Sequence, residues 1–175
     1  MLRGAVLATV LAGCQAHTGP PPPTPVGRPA PAAAAPAGGD SQAAPFVLQL
    51  RDGKTGAALS PEALTERLRA AQAIYLGERH NSRSSHKAQL QLLEQVYALG
   101  QPVAVGVEML PRTLQPQLAA YLAGSLDEAG FLAAVDWQHT WGFDFALYQP
   151  LFEFCRRHGL RMYALNAPRE LAKAV

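Results

Sequence analysis

The sequence predicts an α/β fold in which a mostly parallel sheet is flanked by helices. Three short runs, residues 73–77, 103–107 and 162–165, are apolar throughout and alternate with stretches of helical periodicity. Such strands are typical of a parallel sheet that is covered on both faces. The chain has 175 residues, of which 49% are hydrophobic and 16% charged, with a net charge of +2. This balance is typical of a folded domain, and the lack of a basic run argues against nucleic-acid binding.

The first 14 residues predict a lipoprotein signal peptide. A basic residue precedes an apolar stretch, residues 4–11, and the sequence then reads Leu-Ala-Gly-Cys. The stretch is too short to cross a bilayer, and small residues before a Cys resemble a bacterial lipobox. We therefore expect cleavage before Cys14, acylation of its thiol and anchoring to the cell envelope, with Gln15 favouring the outer membrane. The alternative is an amino terminus that is rich in Ala, Val and Leu by chance.

Residues 15–45 are predicted to be a disordered tether. Nine of the 15 prolines lie between Pro20 and Pro45, among Ala, Gly and Thr. A segment with so few large apolar residues cannot bury enough surface to offset the entropy lost on ordering. We therefore expect the folded part to be residues 46–175, held away from the membrane by the tether. Its lone cysteine, Cys155, is expected to be buried.

Turn and capping residues indicate the bounds of the other elements. Asp52 and Gly53, in FVLQLRDGKTGAAL, predict the turn of a short hairpin. Ser60 and Pro61 predict a helix start, with Ser as the N-cap, and Gly100 predicts the end of a later helix. The predicted helices are residues 63–71, 85–99, 114–122, 127–135 and 145–158, and Pro168 is predicted to open another.

Polar side chains follow each of the three predicted strands. Glu78 and His80 follow the first, Glu108 the second and Asn166 the third. Because ligands of open parallel sheets bind beyond the carboxyl ends of the strands, these residues predict a site at one rim, which His86 joins from the next helix. The bland alternative is that they are solvated loop or capping residues. Glu108, however, has apolar neighbours in VAVGVEMLP, and a buried carboxylate must be paired, protonated or bound to a metal.

Glu78, His80 and Glu108 are candidate ligands of a divalent metal. Carboxylate oxygens and an imidazole nitrogen suit such ions, and His86 would be a fourth ligand or a proton carrier. In an enzyme the same three residues would be catalytic. The spacing Glu-x-His differs from the His-Glu-x-x-His of helical zinc proteases, so the motif alone identifies neither a metal nor a reaction.

An aromatic connection, DWQHTWGFDF, carries Trp137, His139 and Trp141. Two interpretations of it stay open: a loop packed by its own rings, or a lid that faces a ligand. Aromatic rings near the rim would suit a flat ligand, and they would equally suit a protein core.

Three separated blocks resemble the ChaN-like haem-binding lipoproteins of the Tiki superfamily. They read LGERHNSRSSHKAQLQLLE, VGVEMLPR and WGFDFALYQPLFEFCRRHGLRMYALNAPRE, and the resemblance extends from about Ala73 to the last residue. Several blocks in the right order are more specific than any one motif. The lipobox and tether agree with a family of envelope lipoproteins. The matching positions are Gly77, Glu78, His80, His86, Gln89, Glu108, Met109, Trp141, Gly142, Phe143, Tyr148, Pro150 and residues 166–169.

The resemblance implies haem handling at the cell envelope, in iron uptake. Family members hold haem at a dimer interface through a tyrosine ligand, so it implies a homodimer and a haem-ligating tyrosine. Of the five tyrosines, Tyr148 is expected to be the ligand, because it lies in the third block beside the aromatic connection. His80 or His86 would then contact the propionates or support the ligand. Related Tiki metalloproteases and erythromycin esterase-like hydrolases use this rim for chemistry, so a metal-dependent hydrolase is the alternative; the lipoprotein architecture favours a binding protein.

The last residues, PRELAKAV, lie within a predicted helix. The resemblance implies that relatives continue beyond this point. We therefore expect residues 46–175 to be the N-terminal part of a ChaN-like domain, incomplete on its C-terminal side.

Overall fold

A computed structural model describes residues 5–8, 46–168 and 171. Contact clustering divides the chain into two units, and the larger one includes residues 5–8 and 48–168. Every element described below belongs to this larger unit. Cys14 and residues 15–45 lie outside the described residues, so the lipid anchor and the tether stay predictions. In the part of the chain that is described, no helix combines the length and the apolar character needed to cross a membrane.

Four parallel strands form the sheet. They are β1 (Ala5–Ala8), β2 (Ala73–Tyr75), β3 (Val103–Pro111) and β4 (Arg161–Asn166), and they lie in the order β2, β1, β3, β4. Leu7 pairs with Ile74 on one side and with Val105 on the other, and Val105 pairs in turn with Met162. With helices flanking this sheet, the predicted α/β fold is confirmed.

The central strand β1 comes from the predicted signal peptide. It lies between β2 and β3. These two strands follow each other directly in the prediction, which has no strand between them. Adjacent strands are about 4.8 Å apart, so loss of β1 would leave β2 and β3 about 10 Å apart. Cleavage before Cys14 would remove β1, so one molecule can contain β1 in the sheet or a mature amino terminus at Cys14, but not both.

The five predicted helices between residues 63 and 158 are present in the predicted order with shifted bounds, and a four-residue helix in the aromatic connection is additional. Among the described residues the helices are α1 (Pro61–Ala70), α2 (Arg83–Ala98), α3 (Gln115–Leu122), α4 (Glu128–Ala134), the additional α5 (Trp137–Thr140) and α6 (Gln149–Arg157). Ser60 caps α1 by accepting a hydrogen bond from the Ala63 amide at 3.2 Å. Gly100, at φ 69°, lies just after α2, in the left-handed conformation that glycine adopts at helix ends.

Two elements differ from the prediction for local reasons. The predicted hairpin is reduced to one bridge, Arg51 with Ala58, because Asp52 bonds the amides of Lys54 and Thr55 and forms a wider turn. The predicted helix over residues 145–158 is divided, since a 3-10 turn precedes Pro150 and α6. The helix predicted from Pro168 falls mostly outside the described residues.

Aromatic rings make up much of the core beside the sheet. Tyr121 stacks on Phe131 with ring centroids 4.5 Å apart, and Phe152 lies within 6.2 Å of both Phe131 and Trp137. Cys155 is fully buried, as expected, and burial raises the pKa of its thiol to about 12. Its contribution is therefore to packing rather than to thiolate chemistry.

Strand β3 becomes irregular where it reaches the rim. Its pairing with β4 shifts register between Val107 and Pro111, and Glu108 lies within this irregular stretch. A shift of this kind changes the direction in which side chains point. Residues 105–110 of β3 are all buried, so Glu108 is held among apolar neighbours.

Candidate functional site

The rim of the sheet brings together the side chains that follow β2 and β3. Glu78 and His80 lie in the extended segment after β2, and His86 lies in the first turns of α2, which Ser82 caps. One ligand atom from each of Glu78, His80 and Glu108 lies within 4.8 Å of the other two. Asn166 is exposed and lines a different cleft, beyond β4.

Glu78 is the centre of this cluster. Its side chain is 2% exposed; Oε1 accepts hydrogen bonds from His80 Nδ1 at 2.9 Å and from the Tyr148 hydroxyl at 3.0 Å. His86 Nδ1 lies 3.1 Å from Oε2, an ionic contact that is not a well-aligned hydrogen bond. Burial raises the pKa of Glu78, but the contacts with His86 and His80 outweigh it and lower the pKa to about 2. Glu78 is therefore a carboxylate at every physiological pH.

His86 faces oxygen atoms on both ring nitrogens. Nε2 is 3.1 Å from the His80 carbonyl oxygen, and Nδ1 lies near Glu78 Oε2 and, at 3.2 Å, Gln89 Oε1. Because carbonyl and carboxylate oxygens only accept, both nitrogens act as donors when His86 is protonated. Burial lowers the pKa of His86, but the contacts with Glu78 and the His80 carbonyl raise it above its usual value overall. When His86 is protonated, it forms a buried ion pair with Glu78.

His80 is the most accessible member of the cluster. Its side chain is 27% exposed, and its ring lies 4.7 Å from the ring of Trp141 and 4.8 Å from that of Phe143. Both tryptophans of the aromatic connection pack against the protein. Trp137 lies in the core, with its Nε1 donating to the Phe143 carbonyl at 2.6 Å, and Trp141 is half-buried against the same core beside the ring of His80. The interpretation of the connection as a lid that faces a ligand stays a prediction.

Glu108 has a buried carboxylate oxygen without a hydrogen-bond partner among the described residues. The residue is 6% exposed, and the oxygen without a partner is Oε2. Burial raises the pKa of Glu108 to about 6; the nearby His80 lowers it and the negative charge of Glu78 raises it. A group in this state takes a proton or a cation near neutral pH.

The chemistry of these donors fits a divalent cation. Two buried carboxylate oxygens that lack a hydrogen-bond partner among the described residues, Glu78 Oε2 and Glu108 Oε2, lie in the same cluster as His80. Two carboxylates and an imidazole form a mixed oxygen and nitrogen ligand set of the kind that divalent zinc, manganese and iron accept. The metal role of these three residues stays a prediction.

A protein-family model described as haem-binding uptake, Tiki superfamily, ChaN, matches residues 64–175, which is more than half of the chain. The chain belongs to this family. The ChaN match begins within α1 and includes every rim residue described above. Membership of a family described in this way supports a haem-binding role, without identifying the residues that bind haem. Comparison with curated proteins gave no match, and neither did comparison with solved structures.

The tyrosines are distributed unequally between the core and the surface of this ChaN-family chain. Tyr148 is 2% exposed, and its hydroxyl donates to Glu78 and, at 3.3 Å, to the His80 carbonyl. Burial raises the pKa of Tyr148 well above its usual range, and the charge of Glu78 adds to this. Iron coordination by Tyr148 stays a prediction, and it would require the phenol to leave Glu78. The tyrosines with exposed side chains are Tyr75, Tyr97 and Tyr163.

Two contacts at the rim have no local signal in the sequence. Gln89 fits the family's opening block, but only the structure shows it donating to the Leu76 carbonyl at 3.4 Å and contacting His86. The bond from Tyr148 to Glu78 joins residues that are 70 positions apart. No local pattern predicts a contact over that separation.

Proposed function

We propose that this chain is a haem-binding lipoprotein of the bacterial cell envelope and that it serves haem or iron uptake. The observation that carries this proposal is the ChaN family match over residues 64–175. The Leu-Ala-Gly-Cys sequence that ends at Cys14 supports the envelope location. Haem would be cargo here, and the iron and porphyrin would supply no reaction step.

The side chains beside His80 are compatible with a flat aromatic ligand. Trp141 and Phe143 lie next to the ring of His80, which is partly open to solvent. Aromatic faces of this kind stack favourably on extended ring systems. The two carboxylates of the rim, Glu78 and Glu108, are by contrast unfavourable neighbours for the propionates of haem, whose charge has the same sign.

Titration of the full chain with ferric haem tests the proposal. We expect a saturable change in the Soret absorbance at a fixed ratio of haem to protein, because a specific site fills once. The variants Tyr148→Phe and Tyr97→Phe, compared in the same titration, identify the ligand, since loss of a tyrosinate spectrum marks the tyrosine that coordinates iron. An absorbance change that grows without saturation would contradict a specific site.

The lipid anchor has its own test. In cells given radiolabelled palmitate, we expect the full chain to incorporate label and Cys14→Ser to lose all of it, because the thiol of Cys14 is the predicted acceptor. The variant Cys155→Ser is the matched control, since Cys155 is fully buried and should not affect labelling. Equal labelling of the chain and of Cys14→Ser would contradict the lipobox.

A metal-dependent hydrolase is the second candidate function. The observation that favours it is the cluster of Glu78, His80 and Glu108, with ligand atoms within 4.8 Å of one another. A bound divalent metal would supply Lewis acidity and a water of lowered pKa. Hydrolysis of ester or peptide substrates that depends on added metal and is lost in Glu78→Ala would favour this function over haem binding.

A further inference from the structure

A small groove adjoins the rim on the far side of His86. Its walls are the first turns of α2 and the segment from the 3-10 turn at Phe145–Leu147 into α6. It encloses about 100 Å³, which is room for a short side arm but not for a porphyrin. Its lining residues are Arg83, His86, Lys87, Leu90, Ala146, Leu147, Pro150 and Leu151.

The charge of the groove is opposite to that of the rim. Arg83 and Lys87 are one helical turn apart on α2, and both are exposed at the mouth of the groove. None of the eight lining residues is acidic. The mouth of the groove thus carries two cations on one face of α2.

The floor of the groove suits the methylene groups of an anionic arm. Leu151 is 8% exposed, and Leu90 and Leu147 are half-buried, so the cations stand above an apolar surface. His86 separates this floor from Glu78, with both of its ring nitrogens directed at other protein groups. The groove is therefore cationic at its mouth and apolar below, and it contacts the rim only through one imidazole ring.

We propose that this groove binds a propionate arm of haem, with the carboxylate on Arg83 and Lys87 and the methylenes on Leu147 and Leu151. The proposal rests on the haem-binding function proposed above and deepens it. Arginine and lysine form strong charge-assisted bonds to carboxylates. Binding in the groove would direct the propionate edge away from Glu78 and Glu108 and so reduce the repulsion between these carboxylates and the anionic ligand.

The test compares two porphyrins that differ only in the charge of these arms. The full chain is titrated with ferric haem and with its dimethyl ester, both added from dimethyl sulfoxide. Because a hydrogen bond to a charged group contributes about 1.5–3 kcal/mol, we expect haem to bind roughly tenfold to a hundredfold more tightly than the ester. The double variant Arg83→Gln with Lys87→Gln should bind haem as weakly as the ester, and its affinity for the ester should equal that of the unaltered chain.

A matched double variant separates local contact from net charge. Lys54→Gln with Arg69→Gln removes the same two charges from exposed positions outside the groove and should keep the preference for haem. Equal affinity of the unaltered chain for haem and its ester would overturn the propionate site while leaving haem binding intact. So would an equal loss of haem affinity in both double variants. Binding of neither porphyrin by the unaltered chain would overturn the proposed function as well.

Discussion

Replacing His86 with alanine is expected to lower the free energy of unfolding by about 3 kcal/mol. Removing one partner of a buried ion pair typically costs about 3–5 kcal/mol, because the remaining charge is left without compensation in a poorly solvated place. The side chains of His86 and Glu78 are 6% and 2% exposed. The expected loss lies at the lower end of that range, since His80 and Tyr148 still bond Glu78 in the variant.

The chain contains a matched exposed pair that serves as the control. His139 Nδ1 lies 2.8 Å from Asp136 Oδ1, but these side chains are 82% and 66% exposed. Exposed pairs contribute at most about 1 kcal/mol, so His139→Ala should change stability far less than His86→Ala in urea unfolding at pH 6. If the two variants lose the same stability, the Glu78–His86 pair does not stabilise the fold.

The pH dependence of this effect follows from the directions of the two pKa shifts. The pKa of Glu78 is lowered from 4.5 to about 2, so its contribution is complete above pH 4.5 and is lost as the pH falls through 2. The pKa of His86 is raised above 6.5, so its contribution is complete below pH 6.5 and is lost as the pH rises through the folded-state value. The stability difference between the unaltered chain and His86→Ala should therefore be largest between pH 4.5 and 6.5 and decrease on both sides.

Local patterns are sufficient to predict most elements of the fold. Apolar runs identify β2, β3 and β4, and the Ser60-Pro61 pair places the start of α1 where the structure has it. These signals are local, since a cap or an uninterrupted apolar run affects only its own turn or strand. The central position of β1 is not local information. An apolar stretch near the amino terminus suits a signal peptide and a buried strand equally, and composition does not distinguish the two.

The position of the candidate site is predictable from the sequence, as most elements of the fold are. Strand ends in a parallel sheet converge, so Glu78, His80 and Glu108 can be expected at one rim before any coordinates are known. What the sequence does not contain is the set of long-range contacts that determines the state of each group. The Tyr148 hydroxyl bonds Glu78 rather than facing a surface pocket, and the charge of Glu108 is left unbalanced. Both depend on how α6 and β3 pack, which side-chain periodicity does not reveal.

Replacing Glu108 with glutamine is expected to stabilise the metal-free protein at pH 8 by about 2 kcal/mol, which is the free-energy equivalent of a pKa raised from 4.5 to about 6. The unfolded chain releases this proton more readily, so stability falls as the pH rises from 4.5 through 6, and above pH 6 the whole penalty is present. Glutamine keeps the shape of the side chain without the charge. The variant should therefore match the unaltered chain at pH 4 and exceed it at pH 8, both measured by urea unfolding with a chelator present.

Adding a divalent metal should reverse that order. A cation that binds only the folded state stabilises it in proportion to the logarithm of its concentration, and loss of a ligand should weaken its binding by at least about tenfold to a hundredfold. With excess manganese or zinc at pH 8, the unaltered chain should thus gain stability while Glu108→Gln gains little. Glu94→Gln, at an exposed position on α2, should behave as the unaltered chain under both conditions. A Glu108→Gln variant that is less stable than the unaltered chain in chelator would show that favourable partners hold this carboxylate, and the metal site would then lose its physical basis.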